Sequence, residues 1–253
     1  MYAEERQKVI LERARHEGRV DVTGLASEFD VTYETVRRDL TALERHGVLR
    51  RVHGGAIPVE RLGFEPALTV RDSVMTQEKE RIAKAALAEL PDEGAILLDA
   101  GSTTGRLAEQ LPTDRELTVV TNSLSIALTL TPRTNINLML LGGRLRTRTQ
   151  ASVEAWALRA LSECFVDVAF MATNGVSVER GLTTPDPAEA EVKRAMIASS
   201  RRSVLLADHT KVGNDHFARF AAVEDLDLVI TDDGIADGLS DELETAGPSV
   251  RSV

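Results

Sequence analysis

Five short polar segments carry residue types suited to holding a small anion. They are Asp99-Ala100-Gly101-Ser102-Thr103-Thr104, Thr121-Asn122-Ser123, Gly142-Gly143-Arg144, Asn174-Gly175 and Asp208-His209-Thr210-Lys211. Gly101 lets the backbone approach an anion, hydroxyls add donors, and the exposed N–H groups of a helix start bind phosphate. Arg144 and Lys211 supply positive charge. Each segment alone also reads as an ordinary helix cap, strand-end turn or surface ion pair. Glu189 and Lys193, four apart, read equally as a surface helix pair. A second chemistry lies in residues 36–53, where Arg37, Arg38, Arg45, Arg50 and Arg51 face only Asp39 and Glu44, with His46 and His53 beside them. A locally basic stretch on an acidic chain fits a polyanion such as DNA. A solvated helix face is the alternative.

The elements that position these groups follow from periodicity. Val9, Ile10, Leu11 and Ala14 predict one face of a helix over 4–17, ended by Gly18. A short helix over 22–29 turns Leu25, Ala26 and Phe29 inward, with Asp21 as N-cap. A third helix opens at Thr32, buries Val36, Leu40 and Leu43, and stops at Gly47. VLRRVHGGAI then reads as a small hairpin. Helix, helix, turn at Asp30-Val31, helix and wing make a winged helix-turn-helix, whose third helix enters a major groove. Tyr33, Glu34, Arg37, Arg38 and Thr41 fall off its buried stripe. Thr32, Tyr33, Glu34 and Thr35 at its start, Arg37 and Arg38 behind them, and Arg50, Arg51 and His53 on the wing are the candidate DNA contacts. A three-helix module used only for protein contacts is the competing reading.

Residues 58–76, with Pro58, Gly63 and Pro66, lack a clean period and predict a linker. After it, QEKERIAKAALAEL predicts an amphipathic helix. Strands are expected at 95–99, 117–121, 136–141, 166–172, 203–207 and 228–231, with helices near 103–111, 123–130, 153–163 and 187–200. Unalternating apolar strands separated by helices predict a parallel α/β sheet over 77–240. Ligands bind such sheets at the strands' carboxyl ends, where all five polar segments fall. The tail over 241–253 is expected to be loosely ordered. Trp156 and Cys164 read as core or half-buried residues.

Composition narrows the class. The chain has 253 residues, 43% hydrophobic and 28% charged, with net charge −10. Residues 1–58 carry 10 basic and 10 acidic side chains, and the rest 20 and 30. No run of 18 apolar residues predicts a membrane span. The charged start MYAEERQKVI predicts no secretory leader. The single Cys164 allows no intrachain disulfide, and a reducing cytoplasm is the expected compartment. His16, His209 and His216 have no metal spacing, so neither metal nor cofactor is expected.

TYETVRRDL, Leu43-Glu44 with Gly47, and Arg51, His53, Gly54, Gly55 and Ala56 together resemble the DNA-binding module of the DeoR family of bacterial transcriptional regulators. EKERIAKAA, LLDAGSTT, LTVVTNS, LLGGRLR, DVAFMATNGV, GLTTPDPAEAEVKRAMI, LLADHTK and VITD resemble that family's C-terminal sensor domain. Glu65-Pro66 with Arg71 also resembles the segment between the family's two domains. The resemblance spans about 3–235. It implies a sensor domain related in fold to ribose-5-phosphate isomerases, a phosphorylated sugar as effector, double-stranded operator DNA as partner, and a homodimer or homotetramer. Gly101–Thr104 is then the phosphate loop, and Asp99, Thr121, Asn122, Gly142, Gly143, Arg144, Asn174, Gly175, Lys193, Asp208 and Lys211 are contacts or supports. Fructose 1-phosphate is the first guess for the sugar.

Two positions depart from the family pattern. Gly24 stands where Glu is usual, and Glu154 where many members have Gly. The competing function is a sugar-phosphate isomerase with an appended DNA-binding module. Such an enzyme needs a carboxylate base, and isomerase relatives carry an acidic cluster after the strand matching 166–172. Here that place reads Ala172-Thr173-Asn174-Gly175. The expectation is a regulator, most simply a repressor, and not an enzyme. A pure interaction scaffold leaves the basic third helix unexplained.

Overall fold

The computed structural model describes residues 2–17, 20–52, 54–58 and 65–253, with the side chains of Arg15, His16, Arg50, Val52, Ile57 and Asp237 outside the description. His53, Gly18 and the Arg50 side chain, all singled out above, therefore lie outside it. Two compact units divide at Pro66 and Ala67.

In the first unit, α1 (Ala3–Glu17), α2 (Val22–Phe29) and α3 (Tyr33–Arg45) pack on a small antiparallel sheet. Its order is β1 (Val20–Asp21), β3 (Gly55–Pro58), β2 (Leu49–Val52). Ile10, Ala14, Leu25, Val36, Leu40, Leu43 and Leu49 form the core. Asp21 caps α2 through Gly24 N–H at 2.7 Å, and Thr32 caps α3 through Thr35 N–H at 3.2 Å. Gly47 takes φ 73°, and Val48 N–H closes on the Leu43 carbonyl at 3.1 Å, a left-handed stop that glycine favours. Arg6 extends the buried stripe of α1, where its charge meets Asp39 of α3 at 2.5 Å.

The second unit begins with α4 (Leu68–Asp72), α5 (Thr76–Ala86), β4 (Gly94–Leu98), α6 (Ser102–Gln110), β5 (Leu117–Thr121), α7 (Leu124–Leu130) and β6 (Ile136–Leu140). A hairpin of β7 (Arg144–Arg146) and β8 (Ala151–Val153) leads to α8 (Ala155–Ser162) and β9 (Val166–Met171). Then come β10 (Gly175–Ser177), β11 (Gly181–Thr184), α9 (Pro187–Ala198), β12 (Ser200–Leu206), β13 (Ala218–Ala221), β14 (Leu228–Thr231), α10 (Asp237–Thr245) and β15 (Ser249–Ser252). Seven strands form one parallel sheet in the order β15-β14-β12-β9-β4-β5-β6. Alternate residues feed cores on opposite faces: Val168 and Phe170 of β9 on one, Ala169 and Met171 on the other. The chain runs outward from β4 through β5 and β6, then returns to place β9 on β4's other side. The β4–β9 boundary is thus the switch point where connections diverge, and such sheets bind ligands at the carboxyl ends of the strands there.

Three expectations are corrected. The stretch expected to be a loose tail over 241–253 holds the end of α10 and the edge strand β15, whose residues Ser249 to Ser252 pair in register with Leu228 to Thr231. The sheet's main-chain ladder supplies order that its polar side chains do not announce. The expected linker contains the helix α4. Trp156 is 76% exposed on α8, because Ala157 and Leu161 take the inward face. Among the described residues no helix is long and apolar enough to cross a membrane.

Candidate functional site

The first candidate surface is built on α3. Burial of Val36, Asp39, Leu40 and Leu43 turns the intervening positions outward. Tyr33 is 56% exposed, and Glu34, Arg37 and Arg38 are exposed with it. Glu34, Arg37, Arg38, Thr41, Ala42, Arg45 and Arg51 line a groove of about 390 Å³. Arg51 reaches the Thr41 hydroxyl at 3.2 Å, and its backbone N–H donates to Glu44 at 2.9 Å, so the wing strand β2 is fastened to α3. The Arg38–Glu34 pair, at 3.7 Å and largely in water, holds little energy. Four guanidinium groups around one groove suit a phosphate backbone. Thr32 and Thr35 share a hydroxyl hydrogen bond of 2.9 Å, which occupies them in the cap.

The second lies at the switch point. Asp99, following β4, is fully buried and paired with Lys193 of α9, itself 3% exposed. Ala172 N–H, following β9, donates to the same Asp99 oxygen at 3.0 Å, and Lys193 also donates to the Ala172 carbonyl at 3.0 Å. The other Asp99 oxygen, Oδ1, is buried with no hydrogen-bond partner among the described residues. Burial pushes the Asp99 carboxyl up, against the opposing pull of the Lys193 ammonium and Ala172 N–H. A Cβ at Gly101 would stand 2.7 Å from the Ala172 Cβ. Only glycine lets these two turns close. Asn122 accepts from Ala100 N–H at 3.0 Å and donates to the Ser152 carbonyl at 3.3 Å, tying the turn after β5 to both β4 and β8.

The other candidates divide into linked and peripheral groups. Thr104 donates to the carbonyls of Asp99 and Gly101, and Thr121 to that of Leu98, so both hydroxyls shape the loops from within. Ser102 and Thr103 open α6 beside them. Asn174 accepts from Thr184 at 3.0 Å, and Gly175 lies where a Cβ would strike the Asn214 carbonyl at 2.2 Å. Asp208 is buried beside Lys211 at 3.9 Å. Burial pushes the Asp208 carboxyl up, but Lys211, Thr210 and Lys79 outweigh it and hold it below the usual range. Gly142 is exposed, and Arg144 is committed to Glu154 at 2.7 Å.

Glu189 and Lys193 do not form the surface pair that their spacing allows. Both are buried, Lys193 on Asp99 and Glu189 on Arg146 and Thr149. Arg146, Thr149 and Ser152 were not singled out from the sequence, because only the β7–β8 hairpin brings them to α9 and Asn122. Lys79 was legible and missed. It sits on the buried stripe of α5 with Ile82, Ala83 and Ala86, and donates to the carbonyls of Arg71 and Val74. Burial lowers its ammonium to about 8, with Asp208 opposing and Lys211 adding to the shift.

Glu154 adopts φ 76° and ψ −164°, a region that costs a residue with a side chain about 1–3 kcal/mol. A glycine would sit there freely. The facing Gly143, at φ 138°, has the Val153 carbonyl 2.5 Å from where its Cβ would be.

Comparison with known proteins places both units. Residues 6–61 match the DeoR-like helix-turn-helix domain, and residues 74–233 the DeoR C terminal sensor domain. The chain is 36% identical over 250 residues to the HTH-type transcriptional regulator GlpR of Haloferax volcanii, covering 99% of this chain and 98% of that one. It is 33% identical to the HTH-type transcriptional regulator GolR of Listeria innocua, covering 99% of each. The glycerol-3-phosphate regulon repressor of Escherichia coli K12 is 30% identical, with 90% of each chain covered. Among solved structures, ribose 5-phosphate isomerase A of Methanocaldococcus jannaschii aligns over 53% of each chain at 18% identity and a TM-score of 0.39. The basic groove on α3 and the Asp99–Lys193 centre at the switch point thus belong to a DNA-binding transcriptional regulator, and the chain is a member of the DeoR family.

Proposed function

We propose that the protein is a cytoplasmic repressor of a sugar-catabolism operon, released from its operator when a phosphorylated sugar enters the sensor crevice. The carrying observation is the Asp99–Lys193 centre, which leaves Asp99 Oδ1 as a buried acceptor without a partner beside the N-terminus of α6. A buried acceptor of this kind is costly unless a ligand or water satisfies it. The phosphate sits on Gly101, Ser102 and Thr103 with Lys211 as counter-charge, and sugar hydroxyls bond toward Asp99, Asn122 and Asn174. That one relative is a repressor of a glycerol-3-phosphate regulon supports a phosphorylated effector.

Binding occurs without turnover. Asp99 is neutralised by Lys193, and Ala172, Thr173 and Asn174 after β9 offer no carboxylate base. On DNA, Arg37, Arg38, Arg50 and Arg51 hold phosphates while Tyr33 and Glu34 face base edges, with Thr32, Thr35 and His53 at the margins. Two or four copies of the chain present their modules to repeated half-sites. The effector must favour the DNA-free arrangement by differential affinity.

A thermal-shift screen against phosphorylated and free sugars, beginning with fructose 1-phosphate, tests the sensor. A ligand at about 100 times its Kd stabilises the fold by about 2.7 kcal/mol. The expected result is one sugar phosphate that raises Tm, a free sugar that does not, and release of operator DNA by the same compound. Thr103→Glu puts a negative charge in the phosphate loop and abolishes that response. An unaltered response in this variant removes the loop from the site.

A further inference from the structure

We infer that Arg144 and Glu154 form a donor–acceptor clamp for vicinal hydroxyls at the non-phosphorylated end of the effector, which makes Glu154 a specificity-determining residue. The inference rests on the sensor function proposed above and assigns the part of the crevice that the phosphate loop does not serve.

Placement comes first. Arg144 and Arg146 are two apart on β7 and share a face of the strand. Arg146 uses that face to reach Asp186 at 3.2 Å and Glu189, on the first turn of α9. One turn further along α9, Lys193 holds Asp99. Across the hairpin, Ser152 N–H donates to the Asn122 carbonyl at 2.8 Å, and Asn122 accepts from Ala100 N–H. The hairpin is therefore tied through β8 to the turns after β4 and β5 and through β7 to α9, and Arg144 and Glu154 stand half exposed at its end, 54% and 50%.

The backbone argues that Glu154 is held for more than stability. Its φ of 76° with ψ of −164° belongs to glycine, and such strain persists where surroundings or function require it. The Arg144 ion pair is water-exposed and returns less than the strain takes. Folding alone thus favours glycine, and the half-exposed carboxylate stands open to a ligand.

Charge then selects the ligand group. With Glu154 at 2.7 Å, Arg144 is no free cation, and the carboxylate repels a phosphate. A planar carboxylate acceptor beside a planar fork of donors matches two adjacent hydroxyls, each of which donates one hydrogen bond and accepts another.

Glu154→Gly tests this, since it relieves strain and does not endanger folding. Tm and Kd are measured for wild type and variant with fructose 1-phosphate, ribose 5-phosphate, 2-deoxyribose 5-phosphate and inorganic phosphate. Wild type is expected to prefer a hydroxylated sugar phosphate over inorganic phosphate. Glu154→Gly is expected to raise the ligand-free Tm and to lose that preference by at least about tenfold. Inorganic phosphate binding stays unchanged. Glu154→Gln keeps one acceptor and falls between. If wild type discriminates and Glu154→Gly discriminates equally, the clamp is overturned while the sensor function stands. If wild type binds no sugar phosphate better than inorganic phosphate, the sensor function fails and takes the clamp with it.

Discussion

The α3 groove and the switch-point centre both rest on cationic side chains, yet they use charge in opposite ways. Arg38 is 81% exposed and its ion pair is long, whereas the Lys193 side chain is 4% exposed and locked on Asp99. An exposed charge remains free to meet a polyanion, and its removal leaves the fold intact. A buried charge is part of the fold, because its partner becomes an uncompensated ion when it is removed. The division is not strictly by unit: Arg6 and Asp39 form a buried pair that anchors α3 from behind. The third helix is thus exposed in front and charge-locked at the back.

The largest effect is expected from Lys193→Met. Leaving Asp99 buried and unpaired costs about 3–5 kcal/mol, read as an earlier urea transition of the second unit. Adding Asp99→Asn to it restores part of the loss. An unchanged transition would show that the pair is not buried as described.

A smaller effect is expected at Lys79, whose ammonium is lowered to about 8 from 10.5. Below pH 8 both the folded and unfolded chains hold this proton, so the burial penalty is present in full. Between pH 8 and 10.5 the unfolded chain holds more of it, so stability rises with pH, by at most about 1.4 kcal/mol per pH unit. Urea midpoints at pH 7.5 and 10 should show a rise in wild type that Lys79→Met lacks. Equal slopes in the two proteins would remove Lys79 from the pH response.

The smallest effect on stability, and the sharpest on function, is expected at the groove. Arg37→Ala or Arg38→Ala shifts stability by no more than about 0.5 kcal/mol. Each weakens operator binding and lowers the salt slope by about 0.9 where a phosphate contact is lost. Operator affinity and salt slope both unchanged would move the DNA contact off this face of α3.

The sequence was most legible where one element decides its own fate. The third helix shows its N-cap, its buried stripe and its glycine stop within about fifteen residues, and the structure places them at Thr32, Val36, Leu40, Leu43 and Gly47. The strands 117–121 and 228–231 are bounded as expected, since apolar runs between turns need only local pattern. Lys79 was written in the same code, as a polar residue on an apolar stripe, and was passed over. The small strands β10, β11 and β13 were not expected, since GVS, GLTT and ARFA hold no apolar run, and neither was β15, which is polar.

What the chain determined alone is its kind: two units, a third helix with arginines off its buried stripe, and a parallel sheet with polar turns after its strands. These follow from spacing, because 3.6-residue and two-residue periods sort side chains before any long-range contact exists. Only the tertiary structure decided which charges meet. Glu189 and Lys193 are neighbours in sequence and turn to different partners, Arg146 and Asp99, each more than forty positions away. Burial set that choice, since water leaves a nearby pair little advantage, whereas a dry interior demands a partner for every charge brought into it.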